Sequence, residues 1–306
     1  MRISFCCTDT SATEWLDGLR AALPQAEVSL WHSGAPLADY AVVWAPPQTF
    51  FDEQTQLKAV FNTGAGVDAL LRLRLPPDLR IVRLDDAGMA QQMAEYVCHA
   101  LLRYTRGFAR YAQQAAHAQW KQHDALTAAH CPVGILGLGV LGEQVARAVA
   151  ALGFPVNGWS RSPKHLPGVQ RFCGAQELPA FLAASRVLVC LLPLTPDTRD
   201  LLNGARLALL QPGGYLINVA RGAHVVDEDL LALLESGHLA GATLDVFRTE
   251  PLPSAHPFWT HPHITVTPHI SARTLVAESI AQIAGKIIAV EQGQPVRGEV
   301  DLRRGY

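Results

Sequence analysis

Residues 131–164 read CPVGILGLGVLGEQVARAVAALGFPVNGWSRSPK, and this stretch constrains the fold more than any other. A short apolar run, 133–136, leads into Gly137, Gly139 and Gly142. A helix-like segment follows, with Val145, Ala146, Val149 and Leu152 on one face, and then a second apolar run, 154–159. Glycines at this spacing also occur in ordinary tight turns. Set between a strand and a helix inside a βαβ unit, they predict a dinucleotide site. Backbone without side chains can approach a pyrophosphate, and the helix start at Val140, Leu141 and Gly142 offers N–H groups at a positive dipole end.

The far end of the same unit bears on which dinucleotide is bound. NAD-binding units usually place an acid at the end of the second strand, where it holds the ribose hydroxyls. Here that position is Ser160, followed by Arg161, Ser162 and Lys164. A carboxylate would repel a 2′-phosphate, whereas a hydroxyl beside a guanidinium would form charge-assisted hydrogen bonds with it. The expectation is NADPH (NADP) in preference to NADH (NAD).

At 306 residues the chain has the length of about two domains. Its 49% hydrophobic and 17% charged content is that of a globular protein with a substantial core. With 25 basic and 27 acidic residues there is no general electrostatic drive toward nucleic acid or an anionic membrane. No apolar run approaches the roughly 18 residues of a membrane helix, and the N-terminus carries no secretory signal pattern. Cys6, Cys7, Cys98, Cys131, Cys173 and Cys190 form no C-x-x-C pair and read as reduced thiols of a cytoplasmic protein. The histidines, including His256, His261, His263 and His269, lack metal-site spacing, so no metal centre is expected.

Strands and helices alternate along the whole chain. ISFCC, EVSLW, YAVVWA, KAVFN and RIVRL are strand candidates before residue 90, with a helix at 15–23. Apolar steps of three and four predict one long helix over 89–118, interrupted only mildly by Gly107. After the glycine unit come strands VLVCLLP, YLINVA, ATLDVF and ITVTP, with helices at 201–210, 227–236 and 272–291. The pattern predicts an α/β protein of two Rossmann-like or flavodoxin-like domains with parallel sheets. The simplest arrangement is a discontinuous outer, substrate-binding domain, 1–99 plus 276–306, with an NAD(P)-binding Rossmann domain, 100–275, inserted into it.

In open α/β sheets ligands bind beyond the carboxyl ends of the strands. Arg221 directly follows YLINVA, Glu250 follows ATLDVF shortly, and His269 follows ITVTP. Separately these could be a cap, a solvated loop acid and a packed histidine. Together they form a coherent set for reducing a carbonyl. Imidazole titrates near neutrality and can protonate the oxygen as hydride reaches the carbon. A carboxylate on its other nitrogen would orient the ring and favour the charged form. A guanidinium matches a substrate carboxylate and can polarise the adjacent keto oxygen. The expected substrate is a 2-oxo acid.

The motifs GILGLGVLG, LLPLTPDT, NVARGAHVVDEDLL, LDVFRTEPLP and TPHIS occur in the order found in the D-isomer-specific 2-hydroxyacid dehydrogenases, and the chain resembles that family over nearly its whole length. YAVVWAPP, FNTGAGVD, RLDDAGMAQQMAEY, WSRSPK and VDLRRGY narrow the resemblance to members that act on small acids. The resemblance implies Arg221, Glu250 and His269 as the catalytic triad, with Arg221 and His269 also touching substrate. It implies substrate carboxylate contacts from the backbone of Ala65, Gly66 and Val67. Cofactor contacts are implied at Leu192, Pro193, Thr198, Val219, Ala220 and Asp245, the last facing the nicotinamide carboxamide. Trp44 would wall the pocket and favour acids such as glyoxylate and hydroxypyruvate, and the protein would be a homodimer. Rival readings are a reductase of bulkier 2-keto acids, a phosphoglycerate-type dehydrogenase, and a dinucleotide-sensing regulator on the same fold.

Overall fold

A computed structural model describes residues 1–8 and 11–306. The chain divides into two compact units, residues 1–88 with 274–306, and residues 89–273. The sequence expectation placed these breaks at 99/100 and 275/276. The first break falls earlier because the helix beginning at Met89 packs along its length into the second unit. Met93, Val97 and Leu101 join Val145, Ala146 and Val149 in one apolar cluster. Burying each such side chain contributes about 1.5–3 kcal/mol, enough to fix the helix to that unit.

The first unit runs β1 (Arg2–Cys7), α1 (Ala12–Ala22), β2 (Glu27–Leu30), β3 (Tyr40–Trp44), α2 (Gln48–Glu53), β4 (Ala59–Asn62) and β5 (Arg80–Arg83). Its strands are parallel in the order β2-β1-β3-β4-β5, the flavodoxin-like order. The inner strands β3 and β4 are continuous apolar runs because both faces are covered, while the edge strand β2 alternates, burying Val28 alone.

The second unit begins with α3 (Met89–Thr105) and α4 (Phe108–Ala116). These are two helices where the sequence pattern predicted one. Gly107 adopts φ 64°, a left-handed conformation that ends α3. There follow β6 (Val133–Leu136), α5 (Val140–Ala151), β7 (Val156–Ser160), β8 (Val169–Cys173), α6 (Gly174–Ala183), β9 (Val187–Cys190), α7 (Gly204–Leu207), β10 (Gly214–Asn218), α8 (Asp227–Glu235), β11 (Leu239–Leu244) and β12 (Ile264–Val266). All seven strands are parallel, in the order β12-β11-β10-β9-β6-β7-β8. This is the doubly wound Rossmann plan, with its reversal of order between β6 and β9. One face of the sheet is covered by α3 and α5, the other by α6 and α8 through Phe181, Leu182, Leu230 and Leu234.

The helix expected over 201–210 is reduced to the short α7, because Leu202 is drawn into a bridge with Val225. The last helix, α9 (Val276–Glu291), belongs to the first unit and starts four residues later than expected. The C-terminal tail beyond it pairs beside β5, Val300 N–H donating to the Ile81 carbonyl at 2.8 Å. Among the described residues no helix is long and apolar enough to cross a membrane.

Candidate active site

Because every strand of the second unit points the same way, the segments following β6, β9, β10, β11 and β12 all leave one edge of the sheet. The glycine loop follows β6 and the 191–198 loop follows β9, on either side of the reversal in strand order. The three glycines of the fingerprint have three different reasons. Gly137 takes φ 111°, which side chains rarely adopt. A Cβ on Gly142 would overlap the Gly137 carbonyl, so this glycine lets α5 close onto the turn. Gly139 has an ordinary φ of −75° and nothing within 4 Å of where its Cβ would stand. The fold therefore does not require glycine there. What Gly139 leaves is open room beside the N-terminus of α5, the cradle that a pyrophosphate fills.

At the end of β7 the structure refines one expectation. Ser160 is buried and its hydroxyl donates to the Ser162 carbonyl at 2.8 Å, so it shapes the turn and presents no donor outward. Arg161, Ser162 and Lys164 are exposed beyond it. Lys164 Nζ donates to the Leu138 carbonyl at 2.5 Å, fastening this turn to the glycine loop. No acid stands at the strand end, so the segment suits a phosphorylated ribose.

The other expected cofactor positions shape their loops or pack into the core. Thr198 donates to the Pro193 carbonyl at 2.7 Å and accepts from the Thr195 N–H at 2.8 Å, closing the loop after β9. The side chains of Leu192, Val219 and Ala220 are buried in the apolar clusters. Asp245 is fully buried, its carboxylate taking hydrogen bonds from Thr267, Ile270 and Ser271. His224, which sequence reasoning did not single out, is buried with one ring nitrogen 3.0 Å from the Arg221 carbonyl and the other 3.3 Å from that of Pro193.

The catalytic candidates are brought together. His269 Nδ1 lies 2.8 Å from Glu250 Oε2, and a carboxylate only accepts, so the ring N–H donates. The other carboxylate oxygen accepts the Phe247 N–H at 2.8 Å. Burial alone would raise the Glu250 pKa. The hydrogen bonds from His269 and Phe247, with the charges of His269 and Arg221, outweigh it and hold the carboxyl below its ordinary range. Gly222 explains how Arg221 comes near. A Cβ there would overlap the backbone of Phe247 and Arg248, so only glycine lets the Arg221 turn close onto the loop that carries Glu250. His269 has φ 54°, a sparsely populated conformation for a residue with a side chain.

Each unit ends a central strand with a buried asparagine that shapes the following loop. In the second unit Asn218 Nδ2 donates to the Arg221 carbonyl at 3.0 Å and its Oδ1 accepts the Ala220 N–H at 3.2 Å. In the first unit Asn62 Nδ2 donates to the carbonyls of Gly64 and Gly66, each at 3.0 Å. With those carbonyls turned inward, the N–H groups of Ala65, Gly66 and Val67 have no hydrogen-bond partner among the described residues. Successive free amides of this kind make an anion site. Trp44, half-buried, lays its ring against Gly64 at the start of this loop.

A glycine cradle at the switch point, with an imidazole held by a carboxylate on the same sheet edge, is the arrangement of a nicotinamide-dependent dehydrogenase. The profile of the D-isomer specific 2-hydroxyacid dehydrogenase NAD binding domain matches residues 98–271, and the chain belongs to that family. It is 50% identical to glyoxylate/hydroxypyruvate reductase A of Serratia proteamaculans, covering all of both chains. It superposes with a TM-score of 0.95 on a D-isomer specific 2-hydroxyacid dehydrogenase from Xanthobacter autotrophicus in complex with NADPH, at 42% identity over 100% of this chain and 99% of that one. An NADPH-dependent glyoxylate/hydroxypyruvate reductase from Sinorhizobium meliloti in complex with NADP and sulfate gives 0.94 at 38% identity, with the same coverage.

Proposed function

We propose that this chain reduces small 2-oxo acids, glyoxylate to glycolate and hydroxypyruvate to D-glycerate, with NADPH. The observation that carries the reading is the His269–Glu250 pair at 2.8 Å, on the sheet edge that also bears Arg221 and the open glycine cradle. The reductases from Serratia and Sinorhizobium, similar over their full lengths, support the substrate class.

The amides of Val140, Leu141 and Gly142 would hold the cofactor pyrophosphate. Arg161 and Ser162 would take the 2′-phosphate, and Lys164 keeps their turn against the glycine loop. When bound, NADPH supplies hydride to the substrate carbonyl carbon. Glu250 fixes the ring of His269 through Nδ1, so that Nε2 delivers the proton to the carbonyl oxygen. Arg221 pairs with the substrate carboxylate and polarises the keto oxygen. In the first unit, the amides of Ala65, Gly66 and Val67 form the anion site assigned to the acid, and Trp44 restricts the acid's side chain.

Two further readings concern the protein's setting. α4 buries only Gln114, while Phe108 is half exposed and Trp120 is 97% exposed. A second copy of the chain is the occupant we infer for this aromatic surface, giving a homodimer. All six cysteines are free thiols, the state that a reducing cytoplasm maintains.

The test is cofactor oxidation with glyoxylate, hydroxypyruvate, pyruvate and phenylpyruvate, using NADPH and NADH separately. Glyoxylate and hydroxypyruvate should give the highest kcat/KM, with NADPH ahead of NADH. Preference for phenylpyruvate, or equal use of both cofactors, overturns the corresponding part of the assignment.

A further inference from the structure

Asp245 is a carboxylate with no exposed surface. Burying such a group is costly unless hydrogen bonds replace its water. Here the donors all come from the segment that carries His269 or from the strand leading into it. The Thr267 hydroxyl donates to Oδ1 at 2.6 Å, the Ile270 N–H to Oδ1 at 2.8 Å, and the Ser271 N–H to Oδ2 at 2.7 Å. The Asp245 carbonyl accepts the His269 N–H itself, at 2.8 Å. Four contacts, from residues 267, 269, 270 and 271, therefore converge on one residue.

The network extends one step further. Tyr96, on α3, has its phenol oxygen 2.5 Å from the Thr267 hydroxyl oxygen. The direction of the protons follows from the chemistry. A carboxylate can only accept, so Thr267 gives its proton to Asp245, and Tyr96 must then donate to Thr267. Burial pushes the Tyr96 phenol up to about 12, so it keeps the proton this requires. The resulting chain, Tyr96 to Thr267 to Asp245, ends beneath a histidine whose φ of 54° needs holding in place.

We propose that Thr267 and Tyr96 are positioning residues for the reduction, acting through Asp245 to hold His269 in its left-handed conformation. The inference rests on the reading of His269 as the proton donor. Neither hydroxyl touches the reacting atoms. Their effect is on the aim of the imidazole, since Glu250 fixes the ring only from its own side and Asp245 fixes the backbone beneath it. Small displacements of a reacting group can cost about a hundredfold in rate.

The experiment is steady-state glyoxylate reduction and NADPH binding by the full-length chain in Thr267→Val, Thr267→Ser, Tyr96→Phe and the Tyr96→Phe/Thr267→Val double variant, with His269→Ala beside them. Thr267→Val should lower kcat by on the order of ten- to a hundredfold, while the KM for glyoxylate and the Kd for NADPH move less than about threefold. Thr267→Ser, which keeps the donor, should restore most of the turnover. Tyr96→Phe should lower kcat by a smaller factor, and the double variant should be no slower than Thr267→Val alone, because the phenol acts only through Thr267. The proposal is overturned by wild-type kcat in Thr267→Val, by a loss that serine does not restore, by an NADPH Kd that rises in step with the loss, or by full additivity in the double variant. If Thr267→Val does not fold, the Thr267→Ser and Tyr96→Phe pair decides, with an unchanged kcat in Tyr96→Phe counting against the chain. Wild-type turnover in His269→Ala would instead sink the proton-donor reading. An inactive His269→Ala beside a fully active Thr267→Val would sink the positioning role alone.

Discussion

His269 is held from two sides by two acids with different tasks. Asp245 fixes its backbone, in a conformation that costs about 1–3 kcal/mol for a residue with a side chain, and Glu250 fixes its ring. Glu250 titrates below the ordinary carboxylate range, which sets the sign of a stability effect. A carboxyl with a lowered native pKa stabilises the fold above its unfolded pKa and loses that contribution as pH falls through the native value. Wild type should therefore melt higher than Glu250→Gln near neutrality, and the gap should close as the pH drops through and below the carboxylate range. Thermal midpoints of both proteins measured down that pH series check this, and a gap that stays constant would refute it. On the proposed role of His269 as proton donor, glyoxylate turnover in the same variant should fall by about ten- to a hundredfold, because the imidazole loses its charged partner.

At the scale of elements, the turn between β6 and α5 separates what the fold needs from what a ligand needs. Gly139→Ala should fold with an unchanged thermal midpoint, since nothing within 4 Å opposes its Cβ, yet raise the KM for NADPH by on the order of tenfold. Gly142→Ala should instead lower the midpoint, because its Cβ meets the Gly137 carbonyl. Equal thermal losses in the two variants would contradict the distinction. The turn itself was legible in the sequence, as were the inner strands, because a strand covered on both faces is a continuous apolar run. Arg221, Glu250 and His269 could be placed by counting from strand ends in a parallel sheet. Other elements carried weaker signals. β8 is an edge strand whose VQRFC sequence mixes polar and apolar residues, and α6 contains Pro179 within its span. The break at Gly107 was read as a mild helix penalty, although the residue turns left-handed there. The donors around Asp245 depend on contacts that local spacing does not encode, one of them 26 residues apart, and the inward turn of Ser160 onto the Ser162 carbonyl is one rotamer choice among those a surface-like S-R-S stretch allows.

On the scale of the whole molecule, both units are built on parallel sheets, one in flavodoxin-like and one in Rossmann order. The inferred pairing of two copies is tested by sedimentation velocity on wild type and Trp120→Glu. Charging a hot-spot interface tryptophan costs about 2 kcal/mol or more, so the dimer's dissociation constant should rise by at least about thirtyfold. A monomeric wild type, or a variant that dimerises equally well, would remove Trp120 from the contact.

Asn62 and Asn218 give the two units the same grammar: a strand, an amide, and a loop whose carbonyls are drawn inward. The task calls for a donor, and shape alone does not supply one. Aspartate is nearly the same size and one nucleotide substitution away from asparagine. At either position it would set a negative charge against the carbonyls that the amide now satisfies. These two codons are therefore places where the mildest change in the gene would reverse the polarity of a loop.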